Sequence, residues 1–188
     1  NFPTDDYSYN NMAAGTALKD GKATEKTYQE EYKLVGYFGR INYNYQGKYY
    51  LSASIRHEGS SKFGADHKWG TFPAVSIGWN LKEESFLKNV NFLSFLKLRA
   101  GYGITGTIPG NPYLSLNTLD LGGYGYYGGQ WTTLLRASSN PNPDLRWEKK
   151  KETNIGLDFA FFNDRISGSI DWYNRDTDDL IWDYTVSV

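Results

Sequence analysis

A stretch of strict two-residue alternation, from Tyr32 to Arg56, constrains the fold of this chain more than any other feature of its sequence. One set of alternate residues is apolar or aromatic, and the other set is mixed and mostly polar. The dipeptide Gln46-Gly47 divides the stretch into two halves and suits a two-residue turn. Because side chains alternate across a strand, the stretch predicts a β-hairpin with one apolar face and one polar face.

Four further segments show the same alternation and predict four further strands. They are 72–81, 96–104, 147–161 and 166–173. The connection 82–94 has apolar residues at helical spacing and predicts a short helical link, and 162–164 predicts a tight turn. The chain is therefore predicted to be all-β, an antiparallel up-and-down meander of six or more strands.

The remaining segments are polar, without periodicity, and rich in Gly, Ser, Asn and Pro. Residues 1–30 predict a surface loop, and residues 175–188 predict a further polar loop or strand. The connections 57–70 and 105–146 predict two long loops at one rim of the sheet, whereas the short connections lie at the other rim. A structureless loop as long as 105–146 usually carries function.

The apolar faces of the predicted strands together form an aliphatic belt between two groups of aromatic rings. The rings are Tyr43, Tyr45, Tyr49, Trp79 and Phe161 at the short-turn rim, and Tyr37, Tyr102 and Trp172 toward the long-loop rim. Two aromatic girdles, short turns at one rim and long loops at the other are typical of an outer-membrane barrel. A soluble β-sandwich also has an apolar inner face, but its core has no reason to sort rings by height.

Six strands leave two open sheet edges, which a lipid bilayer does not tolerate. The chain is therefore predicted to be a partial arc of a larger transmembrane barrel, closed by strands outside this sequence. The large numbers of Tyr (16), Trp (6) and Phe (10) suit such a barrel, because amphipathic rings favour membrane interfaces.

Charge and residue content argue against several other classes of protein. A net charge of −1 gives no electrostatic case for binding nucleic acid. The absence of cysteine excludes a disulfide framework and a thiolate metal site. Both histidines, His57 and His67, lie in one predicted loop, and no Ser-His-Asp set is evident. We therefore predict no enzyme activity, no catalytic residue, no bound metal and no cofactor.

The order of motifs along the chain resembles one known family. The segments are GYFGRINYNYQGKYYLSASIRHEGSSKFG (36–64), WGTFPAVSIGWNLKEESFL (69–87), LKLRAGYGITG (96–106) and NPNPDLRWEKKKETNIGLDFAFFNDRISGSIDWYNRDTDDLI (140–181). They resemble the barrel of SusC/RagA-type TonB-dependent outer-membrane transporters of Bacteroidetes. One small departure is Arg56-His57-Glu58-Gly59, where the family usually has Arg-Asp-Gly.

The resemblance implies a 22-stranded barrel in the cell outer membrane, with an N-terminal plug and a TonB box outside this sequence. It also implies TonB and a SusD-like lid lipoprotein as partners, and oligosaccharides or peptides as the imported substrates. The alternatives left open are a passive porin and a surface carbohydrate-binding or adhesin domain.

Two sets of residues are candidates for function in such a transporter. The charged residues on the polar face are predicted to face the lumen, where they guide substrate or pair with the plug and with each other: Arg40, Arg56, Lys97, Arg99, Asp158 and Asp171. Four rings on the glycine-rich loop 105–146 are predicted to contact substrate or lid: Tyr124, Tyr126, Tyr127 and Trp131.

Three weaker motifs favour ordinary structural roles. The run 101–106 fits G-x-G-x-x-G, but the prolines that follow it forbid the helix that a dinucleotide site needs. Asp176, Asp178 and Asp179 lack the spacing of a calcium loop and predict a solvated loop. Glu148, Glu152 and Asp158 resemble a glycosidase set less than an ion-pair ladder, because Lys149 to Lys151 lie among them.

Overall fold

The computed structural model describes residues 30–182 of the chain. The loop predicted for 1–30 lies outside the described residues except for its last residue, and so does the segment 183–188. The elements below belong to one compact unit that starts at Lys33. No helix in the described part of the chain is long and apolar enough to cross a membrane.

Antiparallel strands make up most of the described residues. They are β1 (Leu34–Tyr45), β2 (Tyr49–Ser60), β3 (Trp69–Asn80), β4 (Leu93–Thr107), β5 (Leu119–Tyr127), β6 (Gln130–Ala137), β7 (Glu148–Phe161) and β8 (Ile166–Asp178). A 3₁₀ turn (Leu81–Glu83) and a short helix, α1 (Ser85–Lys88), join β3 to β4. Six strands form one sheet in the order β1-β2-β3-β4-β7-β8, and β5 pairs only with β6. The predicted meander of six antiparallel strands is confirmed.

The short connections also agree with the sequence. Gln46 and Gly47 both have positive φ, and the Lys48 N–H donates to the Tyr45 carbonyl at 3.0 Å, which closes a β-turn around them. The turn 162–164 has positive φ at all three residues. The connection 82–94 contains the 3₁₀ turn and α1, as its helical spacing indicates.

The two loops at the other rim differ from the prediction. The segment 57–70 is not all loop, because β2 runs to Ser60 and β3 starts at Trp69. Its first residues stay in the ladder: His57 pairs with both Tyr37 and Thr71. The segment 105–146 is not structureless, because it contains the β5–β6 hairpin. The signal for that hairpin is Gly128-Gly129, two residues with positive φ that form its turn.

The register of the sheet separates its two faces along the whole meander. One line of paired residues on the apolar face is Tyr43, Leu51, Ile77, Ala100, Ile155 and Trp172. One line on the polar face is Asn44, Tyr50, Gly78, Arg99, Gly156 and Asp171. Large apolar residues such as Ile41 (73% exposed) and Ile170 (65% exposed) are open on the apolar face, so they form no core within this sheet.

The buried core lies at the long-loop rim instead. The β3–β4 ladder ends at the pair Ala74–Gly103, although both strands continue beyond it. Phe72 of β3 and the loop residues Phe63 and Trp147 fill this end of the sheet and are buried. Their ring centroids are 4.7 Å apart for Phe63–Trp147 and 5.1 Å apart for Phe72–Trp147. These three residues, called the rim cluster below, hold the loops to the sheet.

Candidate functional site

The rings of the apolar face form an unbroken row at the short-turn rim. Tyr43, Tyr45, Tyr49 and Trp79 stack in sequence, with neighbouring centroids 6.3 to 6.5 Å apart. Phe161 stacks on Phe92 at 6.2 Å at the same rim. The alternation places each of these rings on one face, and the short turns bring them to one level. The arrangement suits an interface between hydrocarbon and water, where amphipathic rings are favoured.

Glu84 connects part of this row, a role that no local pattern in the sequence indicates. Its carboxylate accepts hydrogen bonds from the Tyr49 hydroxyl at 2.6 Å and from the Trp79 indole N–H at 3.1 Å. The Lys48 ammonium lies 3.4 Å away. The donated hydrogen bonds, that of Tyr49 first, hold the pKa of Glu84 below its ordinary value of 4.5. Glu84 lies in the connection between β3 and β4. It is 35 residues from Tyr49 in the sequence, so the two side chains meet only in the folded chain.

A second aromatic group lies on the same face toward the long-loop rim. Trp69 stacks on His57 at 4.8 Å and on Tyr37 at 6.4 Å. His57 Nδ1 lies 2.9 Å from the Thr71 hydroxyl. Trp69 and His57 join the predicted Tyr37 only because 57–59 and 69–71 continue the β2–β3 ladder.

The level at which the apolar face ends changes across the sheet. On β8 the last apolar residue is Trp172, and its register line reaches Tyr43 on β1. On β1 the last ring of this face, Tyr37, lies six residues beyond Tyr43, and one further apolar residue, Val35, follows it. Six residues rise about 20 Å, and the five strand spacings between β1 and β8 cover about 24 Å, so the line from Trp172 to Tyr37 slants by about 40°. Strands in outer-membrane barrels tilt by about 35–45°, so the slant matches a level band around tilted strands.

The six predicted polar-face charges lie on one face but not in one site. Arg99 donates two hydrogen bonds to Asp158 at 2.7 and 2.8 Å and a third to Asp171 at 3.1 Å. Lys97 lies 4.5 Å above the Tyr50 ring, and Arg40 lies 5.3 Å from the Phe38 ring. The Nη2 atom of Arg56 lies 2.5 Å from a Glu58 carboxylate oxygen. Three of the six therefore pair with each other, and the others have separate partners.

The remaining carboxylates of β7 are paired as an ion-pair ladder. Glu148 lies 3.0 Å from the Lys150 ammonium, and Glu152 accepts two hydrogen bonds from Arg175. Asp158 is held by Arg99. Each carboxylate is thus neutralised by its own cation, which is unlike a glycosidase pair, in which one carboxyl group must keep its proton. The structure agrees with the ladder.

The other two weak motifs are placed as follows. Residues 101–106 lie inside β4, and no helix follows them. Asp176 and Asp178 belong to β8, so the loop predicted around them is wrong at these two positions. Within residues 30–182, no group of three or more His, Cys, Asp and Glu side chains is arranged to hold a metal ion.

The four predicted loop rings lie on the β5–β6 hairpin but on two different faces. The pairs Tyr126–Trp131 and Leu119–Ala137 place one set of alternate residues on a single face. This apolar hairpin face carries Leu119, Tyr124, Tyr126, Trp131 and Leu135, which are 62% to 72% exposed. Tyr126 and Trp131 meet edge to face, with centroids 5.5 Å apart. Tyr127 pairs with Gln130 and points to the opposite face, where it is 83% exposed.

The base of the hairpin is fixed to the sheet through the loops around the rim cluster. The Ser138 N–H donates to the Thr118 carbonyl at 2.9 Å, and the Asn142 N–H donates to the Leu114 carbonyl at 2.9 Å. The buried Lys62 ammonium donates to the carbonyls of Pro109 and Gly110 at 2.9 and 2.7 Å. The hairpin is therefore an exposed arm on a rigid base. A lysine in a polar loop gives no sequence signal of such burial.

Comparison with known proteins agrees with this architecture. The family model described as "TonB dependent receptor-like, beta-barrel" matches residues 1–187. The chain is 46% identical over 169 residues to the TonB-dependent receptor SusC of Bacteroides thetaiotaomicron, covering 86% of this chain and 17% of that protein. It is 35% identical over 181 residues to the TonB-dependent receptor P3 of Formosa agariphila, covering 96% of this chain and 18% of that protein.

Solved structures agree as well. The structure of the RagAB peptide transporter superposes with a TM-score of 0.75 at 31% identity, covering 83% of this chain and 17% of that chain. The RagAB peptide importer in its open-open state gives a TM-score of 0.74 at 30% identity, covering 90% and 19%. The chain thus spans less than a fifth of the length of these relatives. An apolar face banded by rings, an ion-paired face behind it and these matches agree: the chain belongs to the family of TonB-dependent receptor-like β-barrels.

Proposed function

We propose that this chain is part of the barrel wall of an outer-membrane transporter that imports nutrient oligomers under the control of TonB. The observation that carries the proposal is the sheet itself. Its apolar face is exposed and banded by rings, and its other face holds the paired charges of Arg99, Asp158 and Asp171. A wall between lipid and a polar lumen has this division. Membership in the TonB-dependent receptor family supports energised import over a passive pore.

The proposed substrates are oligosaccharides or peptides, and the proposed partner is a SusD-like lid lipoprotein. RagAB, which this chain resembles in structure, is described as a peptide transporter. The likeness to SusC supports the same class of transporter. We further propose that the substrate passes unchanged, since the carboxylates Glu148, Glu152 and Asp158 are each paired with a cation.

TonB dependence tests this function directly in the full-length protein. Cells that express it are given a labelled oligosaccharide or peptide substrate, with TonB present or deleted. We expect uptake to fall to background without TonB, because the plug of such a transporter opens only when TonB acts on it. Uptake at the full rate without TonB would instead identify a passive porin. Surface binding without uptake in either strain would identify an adhesin.

The β5–β6 hairpin is the proposed contact for substrate or lid. Its apolar face is exposed and its base is held by backbone hydrogen bonds, which limits the conformational entropy that the rings lose on binding. An isolated two-stranded hairpin is only marginally stable in water, so a partner on this face also stabilises the arm. Tyr124, Tyr126 and Trp131 are proposed to act together, whereas Tyr127 faces away from them.

The two faces of the hairpin provide a matched test of this contact. In the full-length transporter we compare the triple variant Tyr124→Ala, Tyr126→Ala, Trp131→Ala with the single variant Tyr127→Ala. We expect the triple variant to lose lid association or substrate uptake, and Tyr127→Ala to keep both. Surface expression of each variant confirms correct assembly. Unchanged uptake and lid association in the triple variant would exclude the apolar hairpin face as the contact.

A further inference from the structure

A groove of about 420 Å³ lies on the apolar face, across the strands from β1 to β4. Side chains of this face line it at two neighbouring levels: Tyr49, Trp79 and Leu98 nearer the short-turn rim, and Leu51, Ile77 and Ala100 two residues above them. Ala100 is the smallest of them, and in the register it lies between the larger Ile77 and Ile155. The short Ala100 side chain therefore leaves a gap in the outer layer, which we call the belt groove.

Two rings at the short-turn end of the belt groove are held in place by Glu84. The Tyr49 hydroxyl and the Trp79 indole N–H both donate to its carboxylate, at 2.6 and 3.1 Å. The two ring centroids lie 6.3 Å apart, and the ring planes are inclined by 19°. Because hydrogen bonds restrain both rings, the groove is a fixed feature of the face rather than a gap that the rings close.

Both ends of the belt groove lie within the height of the hydrocarbon core. Ala100 is on the register line of Trp172, two strand spacings from β8, whereas Tyr49 is four spacings from β8 and two residues below that line. At a slant of about 40°, Ala100 is about 6 Å and Tyr49 about 17 Å below the level of Trp172 and Tyr37. The apolar band of an outer-membrane barrel is about 25 Å tall, so it includes both ends.

The long axis of the belt groove follows the membrane normal. From Tyr49 to Ala100 there are two strand spacings, about 10 Å, and a rise of two residues, about 7 Å. This line is therefore inclined to the strands by about 55°, toward β8. The normal to the line from Trp172 to Tyr37 is inclined to the strands by about 40° in the same direction. A chain that runs along the normal, as acyl chains do in a bilayer, is thus within about 15° of the groove.

We propose that the belt groove binds an acyl chain of a phospholipid from the periplasmic leaflet. The inference rests on the barrel-wall role proposed above, which places lipid against the apolar face. The groove ends near the short-turn rim, which is the periplasmic side of an outer-membrane barrel. A chain in the groove contacts side chains on both of its sides, whereas a chain on a flat face has contacts on one side only. Such packing is what drives association inside a bilayer, where burial from water contributes nothing.

The number of retained phospholipids tests the groove in the full-length protein. The protein is purified in detergent, given phosphatidylethanolamine and analysed by native mass spectrometry. We expect Ala100→Phe, which fills the groove, to retain one phospholipid fewer than the parent. Ala53→Phe is the matched control, because Ala53 lies between Ile41 and Val75 on the same face but outside the groove. It should retain the same number as the parent.

Three results of this count would overturn the proposal. The first is an equal number of phospholipids in Ala100→Phe and the parent. The second is the same loss in Ala100→Phe and Ala53→Phe, which would mean that any added ring on this face displaces lipid. The third is a lipid-free dimer of the parent, which would identify a second copy of the protein as the occupant.

Trp79 provides a second measurement inside the belt groove. A phospholipid brominated in mid-chain is titrated into the delipidated full-length protein in detergent, and bromine quenches the fluorescence of a tryptophan that it contacts. The Trp79 signal is obtained in each background by subtracting the matching Trp79→Phe variant. We expect quenching in the parent to saturate at a single phospholipid per protein, and Ala100→Phe to show no saturable quenching. Quenching without saturation in the parent would overturn the proposal.

Substrate uptake separates this proposal from the proposed transport function. Neither lipid measurement requires transport, so a parent protein that binds one chain but shows no TonB-dependent uptake would contradict the transport function and support the groove. A parent protein that imports its substrate under TonB control, but keeps its phospholipids when Ala100 is replaced by phenylalanine, would do the reverse.

Discussion

Gly64 shows how a single residue joins two loops that are far apart in the sequence. Its N–H donates to the Leu145 carbonyl at 3.0 Å, and a Cβ atom at this position would overlap the carbonyl oxygen of Pro143. The loop that carries Phe63 thus meets the loop that carries Trp147 backbone to backbone. Only glycine allows such an approach.

Replacing Gly64 with alanine should therefore loosen the rim cluster. Overpacking of this kind costs about 1–3 kcal/mol, so we expect cleavage of loops 61–68 and 138–147 by a limiting amount of protease to accelerate roughly tenfold. Gly110→Ala is the matched control, since no atom lies within 4 Å of a Cβ atom there. Equal cleavage of the two variants would show that the loop contact is not tight.

The pH dependence of Glu84 provides a second prediction at this scale. A carboxyl group whose folded-state pKa is lowered stabilises the protein above its unfolded-state pKa, and that contribution is lost as pH falls through the folded-state value. The pKa of Glu84 is lowered mainly by the Tyr49 and Trp79 hydrogen bonds. We expect Glu84→Gln to be less heat-stable than the parent at pH 7 and to match it well below pH 4.5. Glu83→Gln, on the exposed neighbour, should match the parent at both pH values.

At the scale of elements, the alternation in the sequence predicts the strands of the sheet. It does not predict where the two long loops begin and end. Alternation alone fixes which residues share a face, so Ile41 and Asn42 were separated correctly. The sequence predicts a loop at 105–146, so nothing in it separates Tyr127 from Tyr126, whereas in the β5–β6 hairpin adjacent residues face opposite sides. Burial of Phe63 and Trp147 depends on contacts between remote loops, which no local pattern encodes. The β5–β6 hairpin lies in a glycine-rich segment. Because glycine contributes nothing to an apolar or polar pattern, the alternation of this segment is not visible in the sequence.

A charge on the apolar face of β1 should destabilise the barrel far more than a charge on its polar face. Arginine at the midplane of a lipid-facing barrel surface costs about 2–4 kcal/mol. We expect Ile41→Arg in the full-length protein to show that loss in urea-induced unfolding from bilayers. Asn42→Arg, one residue away and on the polar face, should cost much less. Similar losses at the two positions would contradict the orientation of the sheet.

At the scale of the whole molecule, the described sheet is incomplete by itself. Within residues 30–182, β1 and β8 each have a single neighbour, and the apolar face has nothing packed on it. Both features are tolerated only when further strands and lipid cover them.

The isolated segment 33–182 should therefore not fold as a monomer in detergent-free buffer. We expect aggregation, or a broad non-cooperative change in circular dichroism on heating, because the apolar face remains in water. The full-length protein in detergent serves as the control and should unfold cooperatively. A sharp transition of the segment, with a monomeric mass by sedimentation, would restore the β-sandwich as the correct fold.

The base of the β5–β6 hairpin is a fixed attachment point for a segment that can vary in length and sequence. The segment between Thr118 and Ser138 begins and ends at two residues whose backbones are hydrogen-bonded to each other. Lengthening a loop between fixed ends adds little entropic cost, so the tip can change in size and sequence while the wall stays in place. Under the proposed function, replacing these roughly twenty residues would supply a different contact surface, while the sheet, its rings and its ion pairs stay unchanged.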